Sequence, residues 1–270
     1  MAAPNEITAQ NLLRLIGTPD CPVIVDIQTD ADFSADPFLI PGSVRHPHSD
    51  PDGLIARLQG RPAVIVCQKG KKLSQGLTAL LNAKGQPAEY LAGGIYAWRD
   101  MPGAMRVPAA ALPDPVQGAT LWVTRHRPRI DRIACPWLIR RFVDPDAVFL
   151  FVSPGEVMGV ADRFGAVPFD VEGVFWSHRG DRCSFDTMID EFTLQSPALD
   201  RLATVIRAAD TDRHDLAPQA AGLLALSVGL SRQYRDDQAQ LAAGLPLYDA
   251  FYRWARDGHE EGHDWPAGRD

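Results

Sequence analysis

Apolar runs and helical repeats alternate along the first hundred residues of the chain. The run Ala63–Val66, which follows Pro62, has no polar member and is typical of a strand buried on both faces of a parallel sheet. Leucines recur at helical spacing soon after it, at positions 73, 77, 80 and 81. Further strands are predicted at Val23–Ile27 and Ala88–Leu91. This alternation predicts a parallel α/β sheet with right-handed crossovers and a ligand site at the carboxyl ends of its strands.

The pattern changes after residue 102. Residues 103–119 are rich in proline and alanine and have little periodicity, which predicts an extended, semi-rigid linker. Beyond it, three long amphipathic helices, two strands and two shorter helices predict a mainly α-helical (α+β) domain. Asp131 is predicted to cap one of the shorter helices, and Ser153-Pro154-Gly155-Glu156 has the spacing of a capping box. The predicted domains are therefore residues 1–102 and 120–270.

Cys67 follows the buried run directly, so it is predicted to lie at the carboxyl end of a strand. The six residues Cys67–Lys72 then lead into a helix start, where free amide N–H groups and the helix dipole favour a thiolate. Three lysines in the same loop favour it too. The alternative interpretation is a small buried core residue, the usual role of a free cysteine. Because a core cysteine does not need a lysine-rich loop, Cys67 is predicted to be a reactive nucleophile.

Composition narrows the functional classes. The chain has 270 residues, a formal net charge of -7 and four cysteines without a CxxC pair. The acidic balance argues against broad nucleic-acid affinity, and the cysteine spacing predicts neither a disulfide framework nor a zinc ribbon. No basic leader and no run of about 18 apolar residues occurs. A cytoplasmic protein without a membrane partner is expected.

Four motifs occur in order through the first domain. They are Val25-Asp26-Ile27, Ile40-Pro41-Gly42-Ser43, the loop Cys67-Gln68-Lys69-Gly70-Lys71-Lys72, and Leu91-Ala92-Gly93-Gly94-Ile95-Tyr96-Ala97-Trp98. Together they resemble the rhodanese domain, from about Ile7 to Pro102. The resemblance implies a rhodanese-like fold whose loop cysteine takes sulfane sulfur from a small donor and carries it as a persulfide to a thiol acceptor, without a cofactor. It also associates a six-residue loop with sulfur transfer.

By this resemblance Cys67 is the catalytic residue. The implied substrate-binding residues are Asp26, Gln68, Lys69, Gly70, Lys71 and Lys72. The sequence departs from the family at Gln28 and at Lys72, where arginine is usual. Lysine has no bidentate fork, so an anionic donor such as thiosulfate is expected to be held less rigidly.

Longer strings resemble a second family. They are Arg127-Pro128-Arg129-Ile130-Asp131-Arg132-Ile133-Ala134-Cys135-Pro136-Trp137-Leu138-Ile139-Arg140-Arg141-Phe142, Ser177-His178-Arg179-Gly180-Asp181-Arg182-Cys183-Ser184-Phe185-Asp186, and Arg207-Ala208-Ala209-Asp210. From Leu121 on, the chain resembles the carboxyl-terminal domain of the ChrB chromate-resistance family. The resemblance implies a link to chromate, as a resistance factor or a chromate-responsive regulator, and supplies no agreed active site.

Side chains that commonly bind metals concentrate in two segments of the second domain. Two imidazoles and several carboxylates suit zinc, iron or manganese. Helical spacing of four residues would place some of these groups on one face. The alternative interpretation is that they serve helix ends and a solvated turn. The candidate metal ligands are His178, Asp186, Glu191, Asp210 and His214.

Arginines cluster near the start of the helix that Asp131 is predicted to begin. Chromate is a tetrahedral dianion, and guanidinium groups beside a helix start are a physical way to bind it. Arg132 is the best single candidate for this role, although a basic helix face is often only solvated.

Three hypotheses remain. The first is a sulfurtransferase-like domain fused to a ChrB-like domain and acting in chromate or other oxyanion stress. The second is a chromate-responsive regulator in which the rhodanese module is not catalytic. The third is a metal-dependent enzyme of the second domain. The acidic charge and the lack of a helix-turn-helix signature count against direct DNA binding.

Overall fold

The computed structural model describes residues 5–116 and 118–262. Its first part contains seven strands and five helices. They are β1 (Glu6–Ile7), α1 (Ala9–Leu15), β2 (Val23–Asp26), α2 (Asp30–Ala35), β3 (Phe38–Leu39), β4 (Ser43–Arg45), α3 (Pro51–Leu58), β5 (Ala63–Val66), α4 (Lys72–Ala83), β6 (Ala88–Leu91), α5 (Gly94–Arg99) and β7 (Val107–Pro108). Five strands form a parallel sheet in the order β1-β6-β5-β2-β4, which confirms the predicted α/β architecture.

The central strands β2 and β5 determine where the first site lies. Every residue of both strands is buried, because helices cover the two faces of the sheet, and this is why both strands are almost entirely apolar in sequence. Their register pairs Val23 with Ala63 and Asp26 with Val66, so the two strands end together. Cys67 therefore emerges at the carboxyl edge of the sheet.

Residues 103–116 pack on the first domain and do not project from it. Trp98 Nε1 donates to the carbonyl of Met105 at 2.9 Å, and β7 pairs antiparallel with β3. Val107 is almost fully buried, and a 3₁₀ turn follows at Ala109–Ala111. These contacts hold the segment against the first domain, whereas an extended spacer would face solvent. Where one domain ends and the next begins stays a prediction, and residues 1–4, 117 and 263–270 lie outside the described residues.

The second part contains three strands and six helices. They are β8 (Leu121–Arg125), α6 (Asp131–Phe142), β9 (Val148–Val152), α7 (Val157–Phe164), β10 (Val167–Pro168), α8 (Ser184–Glu191), α9 (Pro197–Asp210), α10 (Ala220–Gln233) and α11 (Asp237–Arg253), the last followed by a π-helical turn, Trp254–Gly258. The strands form a small parallel sheet in the order β10-β8-β9. The mainly helical α+β domain is confirmed. None of the described helices combines the length and the apolar character that crossing a membrane requires.

Two predicted helix caps do not form. Ile130 occupies the N-cap position of α6, and Asp131 is the first residue inside that helix. Ser153 makes no side-chain capping bond, because a 3₁₀ turn at Pro154–Glu156 separates it from α7. The carboxylate of Asp131 is instead bonded to a different helix, which has consequences for the second site.

One hydrophobic core continues from the first part of the chain into the second. Gly17, after α1, lies against the rings of Phe142 and Tyr252. The Gly42 amide donates to the carbonyl of Phe142 at 2.6 Å. At the edge of this contact Arg57 Nη2 lies 3.0 Å from Asp146 Oδ2. The two parts therefore share buried apolar surface, whose removal from water favours their staying together.

Candidate functional site

The loop after β5 is held by the segment that follows β6. The carbonyl of Cys67 accepts from the Ile95 amide at 3.0 Å, and that of Gln68 accepts from the Tyr96 amide at 3.2 Å. Both donors belong to the first turns of α5. The motif around Gly93 and Gly94 thus has a structural role: it fixes the backbone of the cysteine loop from outside.

Gly70 lets the loop approach this support closely. Its φ of +63° lies in the left-handed region, which favours glycine. A Cβ atom at this position would lie 2.5 Å from the carbonyl oxygen of Leu91 and 2.6 Å from the amide nitrogen of Gly93. Any side chain here would collide with backbone, so Gly70 shapes the loop.

The Cys67 thiol has a polar environment although only 5% of the residue is exposed. Ser74 Oγ, in the first turns of α4, lies 3.2 Å from Sγ. Burial acts to raise the pKa of the thiol, but hydrogen bonds from the Ser74 hydroxyl and from the amides of Ser74, Lys71 and Lys69 outweigh it, so the pKa of Cys67 is lowered from its usual value. The arrangement favours a thiolate.

A cavity of about 410 Å³ opens in front of the sulfur. Four of the predicted substrate-binding residues line it beside Cys67: Gln68, Lys69, Lys71 and Lys72. Asp32 from α2 and Leu73 complete the lining. The three lysines are exposed, so they present mobile positive charges at the entrance. An anion of modest size fits this combination of volume and charge.

Asp26 does not line this cavity. Its carboxylate accepts from the Gln28 backbone amide at 2.8 Å and from Gln28 Nε2 at 3.0 Å, and burial raises the pKa of the acid. Arg45 donates to the Gln28 carbonyl at 3.2 Å and to Asp30 at 3.0 Å. Asp26 and Gln28 therefore form a buried hydrogen-bonded turn. The nearby positive charge is the guanidinium of Arg45 in β4.

A second cluster of polar groups lies at the carboxyl edge of the small sheet. Among the described residues, one group of His, Cys and acidic side chains has the geometry of a metal site: Asp131, Asp170 and His178, whose ligand atoms all lie within 4.8 Å of one another. Asp210 Oδ2, at the end of α9, lies 3.2 Å from His178 Nε2. The two aspartates of the first group are buried, whereas 39% of the His178 side chain is exposed, so the cluster faces solvent through the imidazole.

Neighbouring helices and arginines position the two buried carboxylates. Asp131 Oδ2 accepts from the Ser184 amide at 2.6 Å, so it caps the start of α8. Asp170 Oδ1 accepts from the Ser184 hydroxyl at 2.9 Å, while its Oδ2 pairs with Arg125 and Arg132, each at 3.2 Å. Asp170 also adopts a left-handed φ of +51°, a strained conformation for a residue with a side chain.

Charge in this cluster shifts the acid–base behaviour of its members. Contacts with the carboxylates of Asp131, Asp170 and Asp210 raise the pKa of His178 to about 12. Complete burial raises the pKa of Asp131. The causes differ, because burial disfavours the charged form of Asp131, whereas hydrogen bonds to the carboxylates favour the charged form of His178 against its partial burial.

Three of the five metal ligands predicted from sequence are placed elsewhere. Asp186 accepts from Arg207 at 2.8 Å and from the Cys183 amide at 3.0 Å. Glu191 pairs with Arg179. His214 lies in the loop after α9, with its imidazole 3.4 Å from Asp212. Of the predicted set, the structure brings together His178 and Asp210.

Arg132 borders the second cluster and does not stand at an open anion site. Besides its ion pair with Asp170, it donates to the carbonyl of His126 at 3.0 Å. Burial lowers the pKa of its guanidinium. Other arginines of the same stretch also have protein partners, since Arg127 donates to the carbonyl of Tyr234 and Arg141 pairs with Asp249. The predicted arginine cluster is thus divided among several internal contacts.

The sequence patterns do not identify three functional candidates: Ser74, Asp131 and Asp170. Ser74 follows Cys67 by seven residues, which places its hydroxyl in the first turns of the helix that the loop enters. Asp170 is the second residue after β10, and the carboxyl ends of parallel strands gather polar groups, so this position is the signal that the sequence offers. The sequence pattern predicts Asp131 only as the cap of its own helix.

Two protein families match separate parts of the chain. Residues 8–101 match the rhodanese-like domain family, and residues 122–255 match the family described as ChrB, C-terminal domain. Protein ChrB of Cupriavidus metallidurans is 32% identical over 195 residues, which cover 67% of this chain and 59% of that protein. The chain therefore spans less than two thirds of the length of this relative.

Two solved structures are similar to part of the chain. A rhodanese-like domain protein from Staphylococcus aureus is 29% identical, with 37% of this chain and 95% of that chain covered and a TM-score of 0.31. A thiosulfate sulfurtransferase from Pseudomonas aeruginosa is 23% identical, with 40% and 20% covered and a TM-score of 0.33.

Proposed function

Because this chain joins a rhodanese-like domain to a ChrB C-terminal domain, we propose that it is a sulfurtransferase that carries sulfane sulfur on Cys67 and acts in chromate or other oxyanion stress. One observation carries the sulfur-transfer proposal. The Cys67 thiol has a lowered pKa, accepts hydrogen bonds from loop amides and opens on a cavity with three lysines. The chromate link rests on the ChrB domain and on the relative from Cupriavidus metallidurans.

In the first step the Cys67 thiolate attacks the outer sulfur of a small anionic donor such as thiosulfate. The sulfur–sulfur bond of the donor breaks, sulfite leaves with the bonding electron pair, and Cys67 becomes a persulfide. The donor is a dianion, so Lys69, Lys71 and Lys72 favour its approach by Coulomb attraction. Amides directed at the sulfur also stabilise the negative charge of the persulfide.

In the second step a thiol acceptor, as its thiolate, or cyanide attacks the outer sulfur of the persulfide. The new bond forms as the sulfur–sulfur bond to Cys67 breaks, and the Cys67 thiolate is restored. The Ser74 hydroxyl and the loop amides again stabilise the leaving thiolate. These two steps use the side chains and the backbone of this chain and need no cofactor.

The test is the rate of thiocyanate formation from thiosulfate and cyanide by the purified full chain. Cys67→Ser is expected to abolish the transfer, since the hydroxyl does not form a persulfide. Cys21→Ser is the matched control, because Cys21 is a second thiol of the same domain whose pKa burial raises to about 12. Equal rates for wild type and Cys67→Ser, or no transfer by the wild type, would disprove the proposal.

A further inference from the structure

The cluster around His178 contains more acceptors than a hydrogen-bonded imidazole can use. Nε2 faces Asp210 Oδ2 at 3.2 Å, Asp131 Oδ2 at 3.5 Å and Asp170 Oδ1 at 3.5 Å. One N–H group points in one direction, and a good N–H···O bond is about 2.7–3.2 Å long. A single imidazole proton therefore cannot bond all three carboxylates, and the close donors to Asp131 Oδ2 and Asp170 Oδ1 are the amide and the hydroxyl of Ser184.

The same distances suit ligands that surround a cation. In a tetrahedral site with metal–ligand bonds of about 2.1 Å, neighbouring ligand atoms are about 3.4 Å apart. The separations of 3.2–3.5 Å between Nε2 and the three carboxylate oxygens agree with this value. The side chains also come from four separate places: the start of α6, the end of β10, a loop and the end of α9.

One carboxylate of the cluster has a buried oxygen without a hydrogen-bond partner in the described part of the chain. Asp131 is fully buried, and its Oδ1 makes no hydrogen bond with any described residue. Its other oxygen, Oδ2, is the one that faces His178, so the unpartnered atom belongs to the carboxylate that lines the cluster. Buried carboxylates are normally paired or bound to a metal, because an unpaired buried charge is costly.

We infer that Asp131, Asp170 and His178 bind a divalent first-row transition-metal ion, with Asp210 as a fourth ligand. Three carboxylates and one imidazole form an oxygen-rich set that suits manganese, iron or zinc. None of the four cysteine thiols belongs to the group. This site is separate from the Cys67 loop, so the inference does not depend on sulfur transfer.

Neighbouring groups give the two buried carboxylates, Asp131 and Asp170, further contacts, as is usual around metal sites. Arg125 and Arg132 pair with Asp170 Oδ2, while its Oδ1 accepts from the Ser184 hydroxyl and faces His178. The Ser184 amide donates to Asp131 Oδ2, the same oxygen that faces His178. Because the imidazole is partly exposed, the ion can keep a coordination position for water or a substrate.

The test measures manganese binding to the full chain after removal of metal with a chelator. Mn²⁺ is the probe because a thiolate such as Cys67 prefers softer ions, and free Mn²⁺ gives an electron paramagnetic resonance signal that binding removes. One ion per chain is expected. His178→Ala should weaken the binding at least about 100-fold, because it removes a direct ligand.

His214→Ala is the matched control, since His214 is another histidine of the same domain beside an aspartate. It is expected to bind Mn²⁺ as the wild type does. Asp210→Asn supplies a second variant at a partly exposed position, and it should weaken the binding at least about tenfold. Equal affinity for wild type and both ligand variants, or no stoichiometric binding of Mn²⁺, Fe²⁺ or Zn²⁺ by the wild type, would overturn the inference.

Discussion

Replacing Ser74 by alanine tests how the protein activates Cys67. The Ser74 hydroxyl lies 3.2 Å from Sγ and is the one side-chain group among those that lower the pKa of the thiol. A hydrogen bond to a charged group contributes about 1.5–3 kcal/mol. In the variant, the remaining amide hydrogen bonds to the thiolate compensate for part of this loss. A net loss of about 1.4 kcal/mol corresponds to about a tenfold smaller thiolate fraction at a pH below the pKa.

The assay is the rate of alkylation by iodoacetamide as a function of pH. The thiolate reacts, so the rate of each protein rises with pH and levels off above the pKa of Cys67. Ser74→Ala should shift this curve to higher pH and slow alkylation about tenfold near neutrality, with convergence at high pH. Thr78→Val, which removes another buried hydroxyl of α4, is the control and should leave the curve in place. Superimposable curves for Ser74→Ala and wild type would refute this explanation of the lowered pKa.

Two glycine substitutions test the fold around the sites, each measured by urea denaturation. Gly70→Ala should lower the free energy of unfolding by at least about 2 kcal/mol, because it combines a left-handed φ with overlap against backbone. Its control, Gly76→Ala in the open part of α4, should raise the free energy of unfolding by about 0.5–1 kcal/mol. Gly17→Ala should lower the free energy of unfolding by about 1–3 kcal/mol more than Gly85→Ala does. Both glycines have a φ of +80°, but of the two only Gly17 lies against aromatic rings of the second part of the chain. Similar losses within either pair would contradict the close contacts described here.

The Cys67 site was largely predictable because its parts are close together in sequence. The strand, the loop amides and the first turn of α4 all lie within residues 63–75, so hydrophobic periodicity and helix-start chemistry place them. The sequence did not show that Gln28 turns Asp26 away from the cavity, because that depends on a buried turn. The role of Ser74 depends on how α4 is rotated about its axis, which the pattern leaves open.

The cluster around His178 was only half predictable for the opposite reason. Its members come from parts of the chain that are far apart in sequence, and helical spacing finds only neighbours on one helix. Such neighbours include Asp186 and Asp190, yet arginines satisfy both acids. The sequence also does not reveal whether an acid at a helix start, such as Asp131, caps its own helix or, as here, the start of α8.

The most direct test of the central claim is the mass of the intact protein after brief exposure to thiosulfate under non-reducing conditions. Wild-type protein should gain the mass of one sulfur atom, located on the peptide that contains Cys67 and lost again on addition of cyanide. Cys67→Ser should gain nothing. Absence of the added sulfur on the wild type, or its retention in the Cys67→Ser variant, would contradict a persulfide carried by Cys67.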